Sequence, residues 1–248
     1  WFLGGCCAGT DALLTAVDER QRRGCDVVKI MVTGGALTPT MPMWESQFSV
    51  EQVTQVVVAA HALGLPVAAH CHGIEGMRDA LAAGVDTIEH CTFFTATGWS
   101  EPDDALIDRI AGSATAVSAT WGRVPDFVPS PFVTANQPVI RDAMHRLRAR
   151  GATIVVGTDA GINAGKPHDV LPHSTRDLTA IGMDSVEVLT TLTASAARVC
   201  GMGARKGRLA TGYDADIVAV AGDPLADMAA LFDVREVWCR GRRIEARR

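Results

Sequence analysis

The stretch Thr153–Gly161, with the sequence TIVVGTDAG, decides the fold class of this chain. Four apolar or β-branched residues, 153–156, run directly into a Gly-Thr-Asp triplet. A short apolar run that ends at a glycine is typical of a buried strand. Asp159 is therefore predicted at the C-terminal end of a strand, and Gly161 predicts a sharp turn after it. On this pattern alone, a loop-capping role for Asp159 is as plausible as a chemical one.

Two further strand-like runs end on histidine, and another carries a lysine. The run PVAA ends at His70, the run DTIE ends at His90, and Lys29 lies within VKIMV. Side chains that follow successive parallel strands meet at one mouth of a barrel. Lysine, histidine and aspartate in that position are typical of a metal site. The sequence therefore predicts that Lys29, His70, His90 and Asp159 share one site.

Helical segments that end at glycine separate these strand-like runs along the chain. Such alternation predicts an α/β fold with a parallel sheet and right-handed crossovers. Fewer strands are predicted than a closed (β/α)8 barrel contains. They begin near Asp26, Val67, Thr87, Ala114 and Thr153. The tail differs in character, with a predicted strand over Ala215–Val220 and a predicted hairpin over Val234–Ile244.

The amino-acid composition limits which classes of protein and which kinds of partner are plausible. The 248 residues are 48% hydrophobic and 21% charged, which is typical of a globular protein. A net charge of −5 argues against a nucleic-acid or anionic-membrane partner, and no apolar run reaches the roughly 18 residues of a membrane span. Seven cysteines without a disulfide pattern predict a reducing, cytoplasmic location. The predicted partner is a small-molecule substrate, and a homo-oligomer is left open.

The predicted ligands favour metal-dependent hydrolysis. Histidine and carboxylate ligands suit zinc, which lowers the pKa of bound water to about 7 and polarises a carbonyl. Asp159 is predicted both as a metal ligand and as the general base for the attacking water. A protonated Lys29 cannot bind a cation, so it is structural, forms a Schiff base, or has become a carbamate. A lysine within a buried strand is costly unless it is paired, which favours a functional role.

Three residues are candidate substrate contacts. His72 follows His70 by two positions and can face the same mouth. His168 lies in the loop after the predicted Asp159 strand. Arg123 is the only arginine and Lys166 the only lysine of the predicted specificity loops, so either can bind a substrate carboxylate, Arg123 by a two-pronged contact. The alternative for these side chains is a solvated or structural role. The predicted specificity loops are Leu37–Gln47, Thr92–Asp103, Trp121–Pro138 and Ile162–His173.

Four segments of the sequence together resemble the amidohydrolase superfamily. They are DVVKIMVTGG, PVAAHCHGIEGMRDALAAGVDTIEHC, VVGTDAG and GRLATGYDADIVAVAGDPLAD, in that order along the chain. The imidazolonepropionase-like and Xaa-Pro dipeptidase-like branch is the most similar. This resemblance implies a (β/α)8 barrel of the metal-dependent hydrolase type with a small β-sandwich lobe. It also implies one or two divalent ions, usually zinc, with manganese or cobalt as alternatives.

The resemblance also implies a role for each predicted site residue. Lys29 corresponds to a carboxylated lysine that bridges two metal ions, and His70 and His90 correspond to metal ligands. Asp159 corresponds to a metal ligand that also acts as general base. The implied reaction is hydrolysis of an amide in a dipeptide, an N-acyl amino acid or a cyclic amide.

The sequence departs from the family pattern in one respect. The family carries a His-x-His motif after the first barrel strand, and this sequence has none at that position. The resemblance places residues 1–203 in an incomplete barrel, about strands 4 to 8, and residues 204–248 in the C-terminal half of the sandwich lobe. Three interpretations therefore stay open: a metal-dependent amidohydrolase, a Schiff-base lyase that uses Lys29, and an inactive truncated remnant or binding subunit.

Overall fold

The computed structural model describes residues 5–36 and 41–245, without the side chain of Phe132. The chain divides into two compact units. The first consists of residues 1–118 and 146–153, and the second consists of residues 119–145 and 154–248. The predicted division after residue 203 stays a prediction. None of the helices in the described ranges is long and apolar enough to cross a membrane.

The first unit alternates strands and helices around a parallel sheet. Its elements are α1 (Thr10–Arg22), β1 (Val28–Met31), α2 (Val50–Ala62), β2 (Val67–Gly73), α3 (Ile74–Ala83), β3 (Thr87–Thr95), β4 (Gly98–Trp99), α4 (Asp104–Ala111) and β5 (Ala116–Ala119), whose last residue belongs to the second unit. Strands β1, β2, β3 and β5 are neighbours in that order and pair in parallel, whereas the short β4 pairs antiparallel with β3. The predicted α/β class with a parallel sheet is confirmed, and closure into a (β/α)8 barrel stays a prediction.

Local sequence explains where two helices of the first unit begin. Ser49 followed by Gln52 is a sequence pattern that predicts a capping box for α2, and the box is present: Ser49 Oγ accepts the Gln52 N–H at 3.3 Å, and Gln52 Oε1 accepts the Ser49 N–H at 3.1 Å. Thr10 and Asp11 are the capping residues that the sequence predicts for α1, and this prediction is wrong, because the helix begins directly after Gly9. Gly9 has a φ of 79°, which glycine adopts without strain, and no side-chain cap hydrogen bond forms there.

The core of the first unit lies between the sheet and its helices. Helix α2 buries Val53, Val56 and Ala60, and helix α3 buries Met77 and Ala80. These residues recur every three or four positions, so each helix presents a continuous apolar face. The strands β2 and β3 are buried along most of their length, and this fixes the positions of the side chains at their C-terminal ends.

The second unit combines short helices with a small sheet. Its elements are α5 (Pro131–Ala149), of which residues 146–149 belong to the first unit, β6 (Ile154–Val156), α6 (Thr175–Ala180), α7 (Ser185–Thr190), α8 (Ala196–Val199), β7 (Ile217–Val220), β8 (Val234–Cys239) and β9 (Arg242–Ile244). A π-helical segment, Thr191–Ser195, joins α7 to α8. Strands β7, β8 and β9 form an antiparallel sheet, so the predicted β-rich tail is confirmed. Its membership of a β-sandwich stays a prediction.

Helix α5 begins earlier than the sequence pattern predicts. The loop predicted over Trp121–Pro138 ends at Ser130, and Pro131 opens the helix. Ser130 Oγ accepts the N–H of Val133 at 3.3 Å, which satisfies one of the free donors of the first turn. A proline in that turn lacks an N–H that would have no partner anyway. The predicted end of the loop at Pro138 is therefore wrong, because a proline in the first turn of a helix favours the helix rather than a loop.

Candidate metal centre

Three histidines of the first unit lie together at the C-terminal end of β2 and within β3. His70, His72 and His90 each offer a ring nitrogen, and these nitrogens all lie within 4.8 Å of one another. The ring centroids are 4.6 Å apart for His70 and His72, 4.3 Å for His70 and His90, and 4.5 Å for His72 and His90. Imidazole nitrogen is a common ligand of zinc and related ions. The cluster can therefore present three ligands to one ion.

The backbone of β3 brings His90 to the other two histidines. Strand alternation alone places His70 and His72 on one face of the sheet. His90 lies opposite Cys71 in the register between β2 and β3, so regular alternation would direct it away from His70. Its φ of 72° breaks the alternation, and Phe93 nearby also has a positive φ of 59°. Such angles are strained for bulky residues and persist where packing fixes them, as for the fully buried Phe93.

Two of the histidines have one ring nitrogen held by a neighbouring group. His70 Nε2 lies 3.2 Å from the carbonyl oxygen of Gly34, which only accepts, so Nε2 carries the proton and Nδ1 keeps its lone pair. His72 Nδ1 lies 2.7 Å from Thr92 Oγ1. Outer contacts of this kind fix the orientation of ligating imidazoles in metal sites. The donor set therefore fits a divalent metal ion.

The electrostatics of the cluster keep two of its members neutral. Burial lowers the pKa of His70 to about 4, and the positive charge of Lys29 acts in the same direction. Burial lowers the pKa of His72 to about 3, with smaller effects from His70 and Lys29. Both side chains are therefore neutral at neutral pH, which is the form that binds a metal ion.

Residues directly after β1 hold the histidine cluster in place through hydrogen bonds. Thr33 Oγ1 accepts the backbone N–H of His72 at 2.9 Å and donates to the carbonyl of Gly34 at 3.2 Å. The side-chain nitrogen of Gln47 donates to the carbonyl of Met31 at 3.1 Å and to that of Thr33 at 2.9 Å. These bonds join the end of β1 both to His72 and to the loop that precedes α2.

Two glycines allow that loop to lie against the cluster. A Cβ on Gly34 would collide with the carbonyl oxygen of Pro42, and a Cβ on Gly73 would collide with that of Trp44. The loop over 41–47 therefore passes the end of β2 at a distance that only glycine permits. Residues 37–40 of the predicted functional loop lie outside the described residues, and its role in specificity stays a prediction.

Lys29 occupies the predicted strand but not the predicted environment. Lys29 lies in β1 and pairs with Ala68 of β2. Two positions further along, Met31 of β1 pairs with His70 of β2. The expectation that Lys29 is buried is wrong, because the side chain is exposed. Within the described sheet, β1 has a neighbour on one side only, so residues on this strand are more open than sequence alternation suggests. The chemical roles predicted for Lys29 stay predictions.

The other predicted site residues belong to the second unit. Asp159 lies shortly after β6, is exposed, and has a φ of 57°. His168 is exposed, and its ring lies 3.5 Å from the position that a Cβ on Gly161 would occupy. Arg123 is half-buried and lines a cavity. The predicted roles of these three residues therefore stay predictions.

The composition of the histidine cluster differs from the one predicted from sequence. His72 was predicted as a substrate contact, whereas the structure groups it with His70 and His90 as a possible third ligand. The His-x-His spacing was the signal for this placement, because two residues apart on a strand means the same face.

Lys166 has a structural role that the sequence did not reveal. Its ammonium donates to the carbonyl of Thr158 at 2.8 Å and to that of Thr120. Its own carbonyl accepts the N–H of Gly161 at 2.7 Å. Burial lowers the pKa of Lys166, and the negative charge of Asp159 acts in the opposite direction. Lys166 therefore closes the loop after β6 and holds the peptide group directly before Asp159, rather than presenting a free charge to a substrate.

Replacement of Lys166 by methionine is expected to lower the free energy of unfolding by about 2–3 kcal/mol, because two carbonyls lose a charged donor. Urea unfolding followed by circular dichroism measures this change. Lys206, whose ammonium pairs with Asp214 at 3.0 Å on the surface, supplies the matched control. Lys206→Met should be much less destabilising, and equal losses in the two variants would contradict the clamping role of Lys166.

Comparison with known proteins relates the whole chain to one family. The sequence model of the amidohydrolase family matches residues 1–244. Ochratoxinase from Aspergillus niger is 27% identical over 259 aligned positions, which cover 98% of this chain and 51% of that relative. Imidazolonepropionase from Pseudomonas fluorescens is 30% identical, with 73% of this chain and 42% of that relative covered.

Solved structures give the same result. The crystal structure of a Xaa-Pro dipeptidase with bound methionine in its active site is similar with a TM-score of 0.81 at 30% identity. That similarity covers 96% of this chain and 59% of the dipeptidase chain. The chain spans about half the length of the curated relatives it matches.

Proposed function

Because this chain belongs to the amidohydrolase family, we propose that it serves as a metal-dependent hydrolase of an amide C–N bond in a small substrate. The substrate class is a dipeptide, an N-acyl amino acid or a cyclic amide. The observation that carries the proposal is the cluster of His70, His72 and His90. The similarity to a Xaa-Pro dipeptidase supports a dipeptide-like substrate.

The residues of the cluster fit a divalent metal ion, with zinc proposed first and manganese or cobalt as alternatives. His70, His72 and His90 would hold it, since their nitrogens converge and two of the rings are neutral. Lys29, as a carbamate, and Asp159 are proposed as further ligands on the family resemblance. When bound, the ion would polarise the scissile carbonyl and make water a better nucleophile at neutral pH.

The chain itself would supply orientation and proton transfer. Gly34 and Thr92 fix the ring orientations of His70 and His72, so the ligand nitrogens are already placed before an ion arrives. Asp159 is proposed to accept the proton of the attacking water and deliver it to the leaving nitrogen. A carboxylate in that role contributes roughly 10²–10⁴ in rate.

Metal content and amide hydrolysis test the proposal together. Purified full-length protein, reconstituted with zinc, is expected to retain about one equivalent or more per chain by inductively coupled plasma analysis, as the three clustered ligands require. It should release free amine from at least one member of a panel of Xaa-Pro dipeptides, N-acyl amino acids and cyclic amides. A chelator should abolish the release, and added zinc should restore it. Folded protein that retains less than about a tenth of an equivalent of any divalent metal would contradict the proposal.

The same preparation separates hydrolysis from the Schiff-base alternative. A lyase would form an imine between Lys29 and a carbonyl substrate, and borohydride reduction would make that adduct permanent. Mass spectrometry of Lys29 is expected to show no reduced adduct. A borohydride-dependent adduct on this residue would favour the lyase. In a lyase the three histidines would have no common chemical role.

A further inference from the structure

A cavity of about 400 Å³ lies within the second unit, beside helices α5 and α6. Three guanidinium groups line it, those of Arg123, Arg141 and Arg176. Phe127, together with two prolines of the same loop, adds an apolar wall. The volume lies within the range of about 300–1,000 Å³ that is usual for small-molecule sites.

The arginines of the cavity carry more positive charge than the surrounding protein compensates. Arg141 ion-pairs with Asp177, whose side chain is only 6% exposed. In the described part of the chain, Arg123 and Arg176 form no ion pair. The Nε of Arg141 is also buried without a hydrogen-bond partner. A buried donor without an acceptor is costly, so the ion pair with Asp177 does not fully satisfy Arg141.

The surroundings of Arg123 also show uncompensated positive charge. Burial lowers its pKa, and the charges of Arg176 and Arg141 act in the same sense, while Asp177 acts against them. A half-buried cation among like charges is destabilised unless an anion joins the group. A ligand that carries negative charge would stabilise Arg123 and could also pair with the exposed Arg176.

We infer that this cavity binds a small organic dianion, either a dicarboxylate or a phosphate monoester. Planar guanidinium groups form paired hydrogen bonds with carboxylate and phosphate oxygens, and the two arginines without a carboxylate match two negative charges. Phe127 and the adjacent prolines provide a surface for the carbon skeleton of the ligand. No residue of the histidine cluster lines this cavity, so anion binding can be measured without hydrolysis.

Isothermal titration calorimetry on the full-length protein, as purified, tests the site. Malonate represents the dicarboxylate, inorganic phosphate represents the phosphate group, and chloride at equal ionic strength is the reference. Saturable binding with a dissociation constant below about 1 mM is expected for malonate or phosphate and not for chloride. Binding of one of them alone identifies which of the two chemical groups the site prefers.

Two variants assign the binding to the cavity. Arg123→Met and Arg176→Met should each weaken it about tenfold or more, because each removes charged hydrogen bonds. Arg208→Met, at an exposed arginine of the same unit outside the cavity, is the matched control and should bind like the unmodified protein. Melting curves without ligand check folding, and the exposed Arg176 keeps the test valid if Arg123→Met does not fold. Absence of saturable binding, or unchanged affinity in both variants, would overturn the inference.

Discussion

Replacement of His70 by asparagine is expected to reduce the affinity for zinc by more than about 100-fold and to abolish hydrolysis. The variant removes a ring whose Nε2 is held by the carbonyl of Gly34 and whose Nδ1 keeps a lone pair for a metal ion. Loss of an outer contact to a metal ligand usually costs about 10–100-fold in affinity, so loss of the ligand itself should cost more. Competition titration against a chromophoric chelator measures the affinity, and amine release measures the activity.

Three comparison variants sharpen this experiment. His61→Asn, at an exposed histidine of helix α2 in the same unit, should leave zinc affinity unchanged. His72→Asn should behave like His70→Asn if His72 is a ligand. Thr92→Val, which removes the contact to His72 Nδ1, should fall within the range of about 10–100-fold. Tight, stoichiometric zinc in His70→Asn would exclude the cluster as the metal site.

Replacement of Asp159 by asparagine is expected to lower turnover at least about 100-fold, because a general base alone contributes roughly 10²–10⁴ in rate. Asparagine is the appropriate substitution, since Asp159 has a φ of 57° and asparagine tolerates this conformation nearly as well as aspartate. Alanine would add backbone strain to the loss of the carboxylate. Turnover and melting temperature are measured on one preparation.

The two roles proposed for Asp159 give opposite results in that experiment. A catalytic carboxylate predicts a large loss of turnover with the melting temperature nearly unchanged. A carboxylate that only caps the turn at Gly161 predicts a lower melting temperature with turnover per folded molecule nearly intact. The second result would remove Asp159 from the proposed mechanism.

The sequence predicts the parallel sheet and the grouping of His70 with His90 in one candidate site, because apolar runs and the residues that follow them can be read locally. Apolar runs define β2 and β3, and the residue that ends each run is visible directly. The grouping of His70 with His72 follows from strand periodicity. The backbone that brings His90 to the cluster does not follow from the sequence, since its φ of 72° breaks the regular alternation of β3.

The other wrong predictions concern features that depend on residues distant in the sequence. The burial expected for Lys29 failed because exposure depends on which strands flank β1, and the sequence of one strand does not contain that information. Helix α5 was predicted to begin too late because Pro131 can either end or open a helix, depending on the cap provided by Ser130. The clamp formed by Lys166 joins Thr120 and Thr158 across 46 and 8 residues, a separation that no local pattern reports.

The close approach at Gly34 and Gly73 restricts how this protein can diversify. Any side chain at either position would displace the backbone of Pro42 or Trp44, and with it the chain that supports His72. Mutational libraries that vary these two glycines would therefore consist mainly of damaged proteins. Trp44 itself has a side chain that is 37% exposed. If the predicted role of this loop in specificity holds, exchanges of the exposed Trp44 side chain are a more accessible route to new substrates than exchanges of either glycine.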